Sequence, residues 1–215
     1  MKCILTSTAN FHHDFAYNVV KDIIKPNMKV ICLPFASEIP WQLHGDMTDF
    51  VEKHYEPFKR FGIKESDFYT VRITDNIEYI KGVIQSADII YFSGGFMENI
   101  TYVLNLLGLK DFITQFKDEK IFIGESAGTL ILQDEYMETP NIEDHYKHYR
   151  RMEGLGIVKG YDLLVHYDKN NRGHVTNFKV ISAMDRHSKR VLGISDGGAL
   201  VINENRIFYL GDCTK

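Results

Sequence analysis

A serine stands at the centre of residues 124–128, Gly-Glu-Ser-Ala-Gly, between two apolar runs. The run before it, residues 121–123, predicts a buried strand, and the run after it predicts the start of a helix. A serine in a sharp turn from strand to helix is held in a strained backbone conformation that exposes its hydroxyl group. Such a turn brings Gly124 and Gly128 close together, which requires small residues at both positions. We therefore interpret Ser126 as a nucleophile rather than as part of an ordinary glycine-rich turn.

A nucleophilic serine needs a base and an acid that orients the base. In an open α/β sheet, we expect these groups at the carboxyl ends of strands, where ligands bind. His166 ends an apolar strand and is the candidate base. Asp196 follows the predicted strand at residues 190–195, precedes a predicted turn at Gly197-Gly198, and is the candidate acid. Each residue could instead be purely structural, and Asp168, two residues after His166, is a competing acid.

A pair of glycines follows another predicted strand, residues 87–92. We predict that the backbone N–H of Gly95, together with that of Ala127, forms the oxyanion hole of an acyl-transfer reaction. The alternative is a plain turn from strand to helix.

Short apolar runs alternate with longer segments that have helical periodicity. Predicted strands lie at residues 2–6, 29–35, 68–73, 87–92 and 120–124, and predicted helices at 14–25, 46–61, 77–85, 99–107 and 111–116. This alternation predicts a largely parallel sheet covered by helices on both faces.

The pattern changes after residue 160. Predicted strands lie at residues 161–166, 190–195, 199–203 and 206–210, with one helix near 177–185. The turn Glu204-Asn205 predicts an antiparallel sheet edge. Residues 134–156 are polar and predict a surface excursion. We therefore expect a single domain, residues 1–215, with the architecture of a three-layer α/β sandwich.

Composition excludes several classes of function. The chain has 215 residues and a net charge of −4, so no global positive field is present to attract nucleic acid or an anionic membrane. No apolar window is long enough for a membrane helix or a secretory signal. Three cysteines without a C-x-x-C pair argue against a disulfide framework and a structural zinc. We expect a cytoplasmic monomer or small homo-oligomer.

Taken together, these motifs resemble the peptidase E (aspartyl dipeptidase) family, relatives of cyanophycinase with the class I glutamine amidotransferase-like fold. The resemblance covers residues 2–211 and is carried by Ser93-Gly94-Gly95, the serine motif, Leu164-Val165-His166-Tyr167 and Gly193-Ile194-Ser195-Asp196-Gly197. It implies a serine peptidase that cleaves short peptides without a metal or organic cofactor, through Ser126, His166 and Asp196. The order serine, histidine, acid differs from that of ordinary α/β-hydrolases.

The resemblance is weaker for the residues that would bind substrate. Aspartate-specific members carry an arginine on the helix after the histidine, whereas Asn177 falls near that position here. The nearest cations are Arg172 and Lys179, which we predict as substrate-binding residues together with Gly94. Fold and triad therefore transfer better than aspartate specificity.

Two other classes of function are compatible with the same residues. An esterase or amidase of different specificity would cleave p-nitrophenyl esters in preference to Asp-X dipeptides. A non-catalytic binding protein would not be labelled at Ser126 by a fluorophosphonate. An amidotransferase is disfavoured because its nucleophile is a cysteine.

Further side chains allow a functional or a structural interpretation. His145 and His148 have the spacing of metal ligands on a helix, but a solvated charged segment explains them as well. Trp41, Tyr55 and Phe58 either line a pocket or belong to the core.

Overall fold

The structure of the protein is a computed structural model that describes residues 1–138, 150–167 and 190–214. Within these ranges the strands are β1 Lys2–Thr6, β2 Val30–Leu33, β3 Phe68–Thr70, β4 Ile89–Phe92, β5 Ile121–Glu125, β6 Glu135–Glu138, β7 Arg150–Glu153, β8 Tyr161–Leu164, β9 Arg190–Asn203 and β10 Arg206–Thr214. The α-helices are α1 Asp14–Val20, α2 Ile39–His44, α3 Thr48–Lys59, α4 Ile77–Ser86, α5 Met97–Leu106, α6 Lys110–Thr114 and α7 Ala127–Ile131.

Eight of these strands form the central sheet, in the order β10-β9-β1-β5-β4-β2-β3, with β8 also paired to β9. The pairs β1–β5, β5–β4, β4–β2 and β2–β3 are parallel. In contrast, β9 runs antiparallel to both β1 and β10. Alternate residues of the buried strands enter separate hydrophobic clusters, Phe122 one and Ile123 the other, as expected for a sheet that is covered on both faces. The predicted mixed α/β fold is confirmed, including its antiparallel edge.

β9 is a single continuous strand, so the predicted turn at Gly197-Gly198 is wrong. β10 pairs with β9 on both sides of a bulge between Gly211 and Cys213. A Cβ atom on Gly198 would overlap the carbonyl oxygen of Asp212. Gly198 therefore permits the close approach of two strands at a bulge, and the Gly197-Gly198 pair does not reverse the chain.

Two strands meet β9 head to head on the edge opposite β10. β8 runs parallel to the first part of β9, with Leu164 opposite Gly193, and β1 runs antiparallel to its last part, with Thr6 opposite Ala199. The carboxyl ends of β8 and β1 therefore face each other across the middle of β9. The carboxyl end of β5 lies beside that of β1, because Glu125 is opposite Thr6.

Other local differences from the sequence predictions have packing reasons. The segment at 134–156 is not simply a surface excursion, because β6 pairs with β7 and Tyr136 and Leu155 are buried in the core. Helix α2 was not predicted, and α1 ends at Val20 rather than near residue 25. The helix predicted near 177–185 lies outside the described residues. Among the described residues, no helix has the length and apolar character needed to cross a membrane.

The turn between β5 and α7 is closely packed at both of its glycines. A Cβ atom on Gly124 would lie 2.6 Å from the carbonyl oxygen of Gly128. A Cβ atom on Gly128 would overlap the carbonyl oxygen of Phe92 in β4. Small residues at these two positions are thus a steric requirement of the turn, as the sequence pattern indicated.

We expect Gly128→Ala to lower the free energy of unfolding by at least about 2 kcal/mol, because its methyl group would meet backbone that cannot rotate away. Gly82→Ala is the matched control, since Gly82 lies inside α4 with no atom within 4 Å of the added Cβ. It should stabilise the protein by about 0.5–1 kcal/mol through helix propensity. Urea denaturation of both variants measures the difference, and equal effects would contradict the steric argument.

Candidate active site

Ser126 has a strained backbone conformation, with φ 51° and ψ −114°. A positive φ is uncommon for a residue with a side chain, and hydrogen bonds on both sides hold it. The Ser126 N–H donates to the carbonyl oxygen of Thr6 at 2.9 Å, and its own carbonyl oxygen accepts from the N–H of Thr129 at 2.9 Å. The strain and its supports orient the hydroxyl group at the carboxyl end of β5.

The structure brings Ser126, His166 and Asp196 together. Ser126 Oγ lies 2.9 Å from His166 Nε2, and His166 Nδ1 lies 2.6 Å from Asp196 Oδ1. With the proton on Nδ1 donated to Asp196, Nε2 is free to accept the proton of the serine hydroxyl group. Both the imidazole and the carboxylate retain substantial solvent exposure, at 49% and 67% of their side-chain surfaces.

A buried serine that the sequence analysis missed holds the backbone of His166. The N–H of His166 donates to Ser7 Oγ at 2.9 Å, and Ser7 Oγ donates to the carbonyl oxygen of Ile194 at 2.6 Å. His166 itself has a φ of 54°, so its local conformation needs such support. The only sign of this role in the sequence is a polar residue directly after β1, and such a residue is equally typical of an ordinary strand end.

The loop after β1 also holds the backbone of Asp196. Thr8 Oγ1 donates to the carbonyl oxygen of Asp196 at 3.1 Å, and Asn10 Nδ2 donates to the same oxygen. One loop therefore contacts both the histidine and the acid. Asp168, the competing acid, lies outside the described residues.

Gly94 and Gly95 lie close to the serine. A Cβ atom on Gly94 would be 3.3 Å from the Cβ atom of Ser126. Gly95 has a φ of 144°, and its Cβ atom would overlap the carbonyl oxygen of Ala36. Ala127 is the first residue of α7, so its N–H has no acceptor within the helix. The oxyanion hole at Gly95 and Ala127 stays a prediction of the sequence.

A second missed residue is Glu125, next to the serine in sequence. Its side chain is 13% exposed, and its Oε2 accepts a hydrogen bond of 2.6 Å from the hydroxyl group of Tyr91. The same hydroxyl group lies 2.9 Å from Nδ1 of His54. Burial lowers the pKa of His54 to about 4 and, with the nearby Glu125, raises the pKa of Tyr91.

The cysteines do not have the character of nucleophiles. Cys3 and Cys32 are buried free thiols. Burial raises the pKa of Cys3 to about 12 and also raises that of Cys32, which keeps both as unreactive thiols at neutral pH. Partial burial also raises the pKa of Cys213, so none of the three thiols competes with Ser126, the predicted nucleophile.

Several predicted site residues fall where no structure is described. Arg172, Lys179 and Asn177 lie in residues 168–189, and His145 and His148 lie in residues 139–149. Their roles in substrate or metal binding therefore stay predictions of the sequence.

The aromatic residues of α2 and α3 are placed by the structure. Phe58 is fully buried and belongs to the core, and the hydroxyl group of Tyr55 donates to the carbonyl oxygen of Ile63. Trp41 packs on Phe50, which in turn packs on His54 at a ring distance of 4.0 Å. An aromatic row thus leads from Trp41 to the polar cluster around Glu125.

We expect Ser7→Ala to lower the free energy of unfolding by about 1 kcal/mol, because it removes the acceptor of the partly buried hydrogen bond from the His166 N–H. Ser86→Ala is the control. Its hydroxyl group caps an exposed turn of α4 by donating to Val83, and its loss should cost less than about 0.5 kcal/mol. Chemical denaturation measures both values. A loss at Ser7 no greater than that at Ser86 would show that the bridge contributes nothing to stability.

Comparison with known proteins gives a family for this chain. The model of peptidase family S51 matches residues 3–210. No curated protein matches the sequence.

Among solved structures, a protein from Listeria monocytogenes EGD-e, provisionally named a peptidase E, has a TM-score of 0.73 at 20% identity, with 98% of each chain covered. A peptidase from an acI-B1 Actinobacterium has a TM-score of 0.63 at 20% identity, covering 98% of this chain and 87% of that one. These likenesses establish the fold. The predicted resemblance to peptidase E is confirmed by the family match, and the chain belongs to peptidase family S51.

Proposed function

We propose that this protein is a serine peptidase that hydrolyses short peptides, with Ser126, His166 and Asp196 as its catalytic triad. The observation that carries the proposal is the pair of hydrogen bonds, 2.9 Å from Ser126 Oγ to His166 Nε2 and 2.6 Å from His166 Nδ1 to Asp196 Oδ1. Family membership supports a peptidase. The strained serine at the end of β5 supports the serine type of mechanism.

The first half of the reaction forms an acyl-enzyme. Ser126 Oγ attacks the peptide carbonyl carbon while His166 Nε2 takes the hydroxyl proton. Asp196 fixes the tautomer of His166 and stabilises the imidazolium. The N–H groups of Gly95 and Ala127 receive the oxyanion, and each such donor is worth roughly 3 kcal/mol of barrier.

The second half of the reaction releases the products. His166 donates its proton to the nitrogen of the leaving amine, and the C–N bond breaks. Water then attacks the acyl ester with His166 as the base, and the carboxylate product leaves as Ser126 regains its proton. These steps use only groups of the chain and one water molecule.

The proposed substrates are short peptides, without a stated preference for aspartate. Binding of an acidic substrate side chain would need a cation, and the candidates Arg172 and Lys179 lie outside the described residues. Aspartate preference therefore stays a prediction of the family resemblance, to be tested with dipeptides that differ at the first residue.

We expect Ser126→Ala and His166→Ala each to lower kcat by at least about 10⁴-fold, and Asp196→Asn by about 10²–10⁴-fold, because the three groups act as a unit. The measurement is steady-state kinetics on a dipeptide panel. Ser86→Ala should retain the parent rate, since Ser86 lies on α4 and contacts Val83.

Retention of parent rates by both the Ser126 and the His166 variants would contradict the triad. Labelling with a fluorophosphonate, expected on Ser126 of the parent and absent from Ser126→Ala, checks the nucleophile independently of substrate choice. Cleavage of p-nitrophenyl esters without cleavage of any dipeptide would replace the peptidase by an esterase on the same triad.

A further inference from the structure

A carboxylate lies beside the proposed nucleophile and has no role in the triad. Glu125 directly precedes Ser126 in the sequence. A Cβ atom placed on Gly94 would lie 3.3 Å from the Cβ atom of Ser126 and 3.5 Å from the carboxyl carbon of Glu125. One point beside Gly94 is therefore within 3.5 Å of carbon atoms of both side chains, and a substrate that lies over Gly94 would be close to both.

The partners of Glu125 supply no opposite charge. The Tyr91 hydroxyl group donates a hydrogen bond of 2.6 Å to Oε2 and is a neutral donor. His54 Nδ1 lies 3.5 Å from the same oxygen, Oε2. Because burial lowers the pKa of His54 to about 4, this imidazole is neutral at pH 7 and does not compensate the carboxylate.

Among residues 1–138, 150–167 and 190–214, no lysine or arginine forms an ion pair with Glu125. A largely buried carboxylate without a cation is costly, since its desolvation is not offset by an opposite charge. It would also oppose the negative charge that develops on the peptide oxygen during attack by Ser126. Both costs fall when a bound ligand supplies a positive charge.

We infer that Glu125 forms a subsite for a positively charged nitrogen of the substrate, close to the scissile carbonyl group. The inference rests on the proposed function, because it places that carbonyl group at Ser126. Two sources have the required chemistry: the α-ammonium group of an unblocked peptide and the side chain of a lysine or arginine.

Binding to the Ser126→Ala variant tests the subsite without requiring turnover. Isothermal titration calorimetry would compare Lys-Ala with norleucine-Ala, and each free dipeptide with its N-acetylated form. If Glu125 binds a cation, the cationic member of one pair should have a Kd at least tenfold lower. A difference between Lys-Ala and norleucine-Ala identifies the lysine side chain as the source, and a difference between free and N-acetylated dipeptides identifies the α-ammonium group. Adding Glu125→Gln, which keeps shape and removes charge, should reduce that ratio to about one.

Two controls separate charge from packing. Glu78→Gln removes an exposed carboxylate on α4 that pairs with Lys81, and it should leave the ratio unchanged. Tyr91→Phe removes the hydrogen bond to Glu125 but keeps the carboxylate, so the preference for the cationic ligand should persist. Circular dichroism establishes that each variant is folded.

The outcomes distinguish the subsite from the peptidase proposal. Equal affinities in both ligand pairs, or a ratio that Glu125→Gln does not change, would overturn the subsite even if the parent enzyme cleaves peptides. Loss of the preference in Tyr91→Phe to the same extent would also overturn it, since the effect would then follow packing. Absence of hydrolysis by the parent together with a charge-dependent Kd would retain the subsite and reject the peptidase.

Discussion

The meeting of β1 and β8 across the middle of β9 is the constraint on which the site depends. Two strands that approach a third from opposite directions leave a gap where neither continues the hydrogen-bonded ladder. In this protein, the hydroxyl group of Ser7 fills that gap by accepting from the N–H of His166 and donating to the carbonyl of Ile194. The N–H of His166 thereby has an acceptor at a point where no strand supplies one. The proposed base is thus positioned by the same bond that closes the sheet.

Strain at the site is distributed over two residues that carry side chains. Ser126 and His166 both have a positive φ. Each of these conformations costs free energy, which contacts with the surrounding structure must offset. At Ser126 the stabilising contacts are the hydrogen bond to Thr6 at the end of β1 and the packing of Gly128 against β4. At His166 the stabilising contact is the hydrogen bond to Ser7. The hydrogen-bond partners of the two residues, Thr6 and Ser7, therefore both come from the first strand and the residue that follows it.

Local patterns in the sequence were sufficient for the parallel half of the sheet, because buried strands such as β4 and β5 are continuous apolar runs between helical segments. They failed at β9, where Gly197-Gly198 has the composition of a turn but lies in a strand. The difference is set by the pairing with β10, whose register on β9 shifts between Gly211 and Cys213, and a local pattern in β9 does not contain that partner. Ser7 and Glu125 escaped for the same reason: their partners are distant in sequence, and a single polar residue at a strand end carries no periodicity.

β9 has a consequence for the order in which the molecule assembles. Its last part pairs with β1, so the contacts that close the sheet join residues almost 200 positions apart in the sequence. Such contacts form late, since the chain entropy lost in closing a long loop precedes any gain from pairing. A growing chain that has completed α7 already contains the serine, but it lacks β9, the strand that carries Asp196. Hydrolytic competence by this triad would therefore arise as a late event of folding.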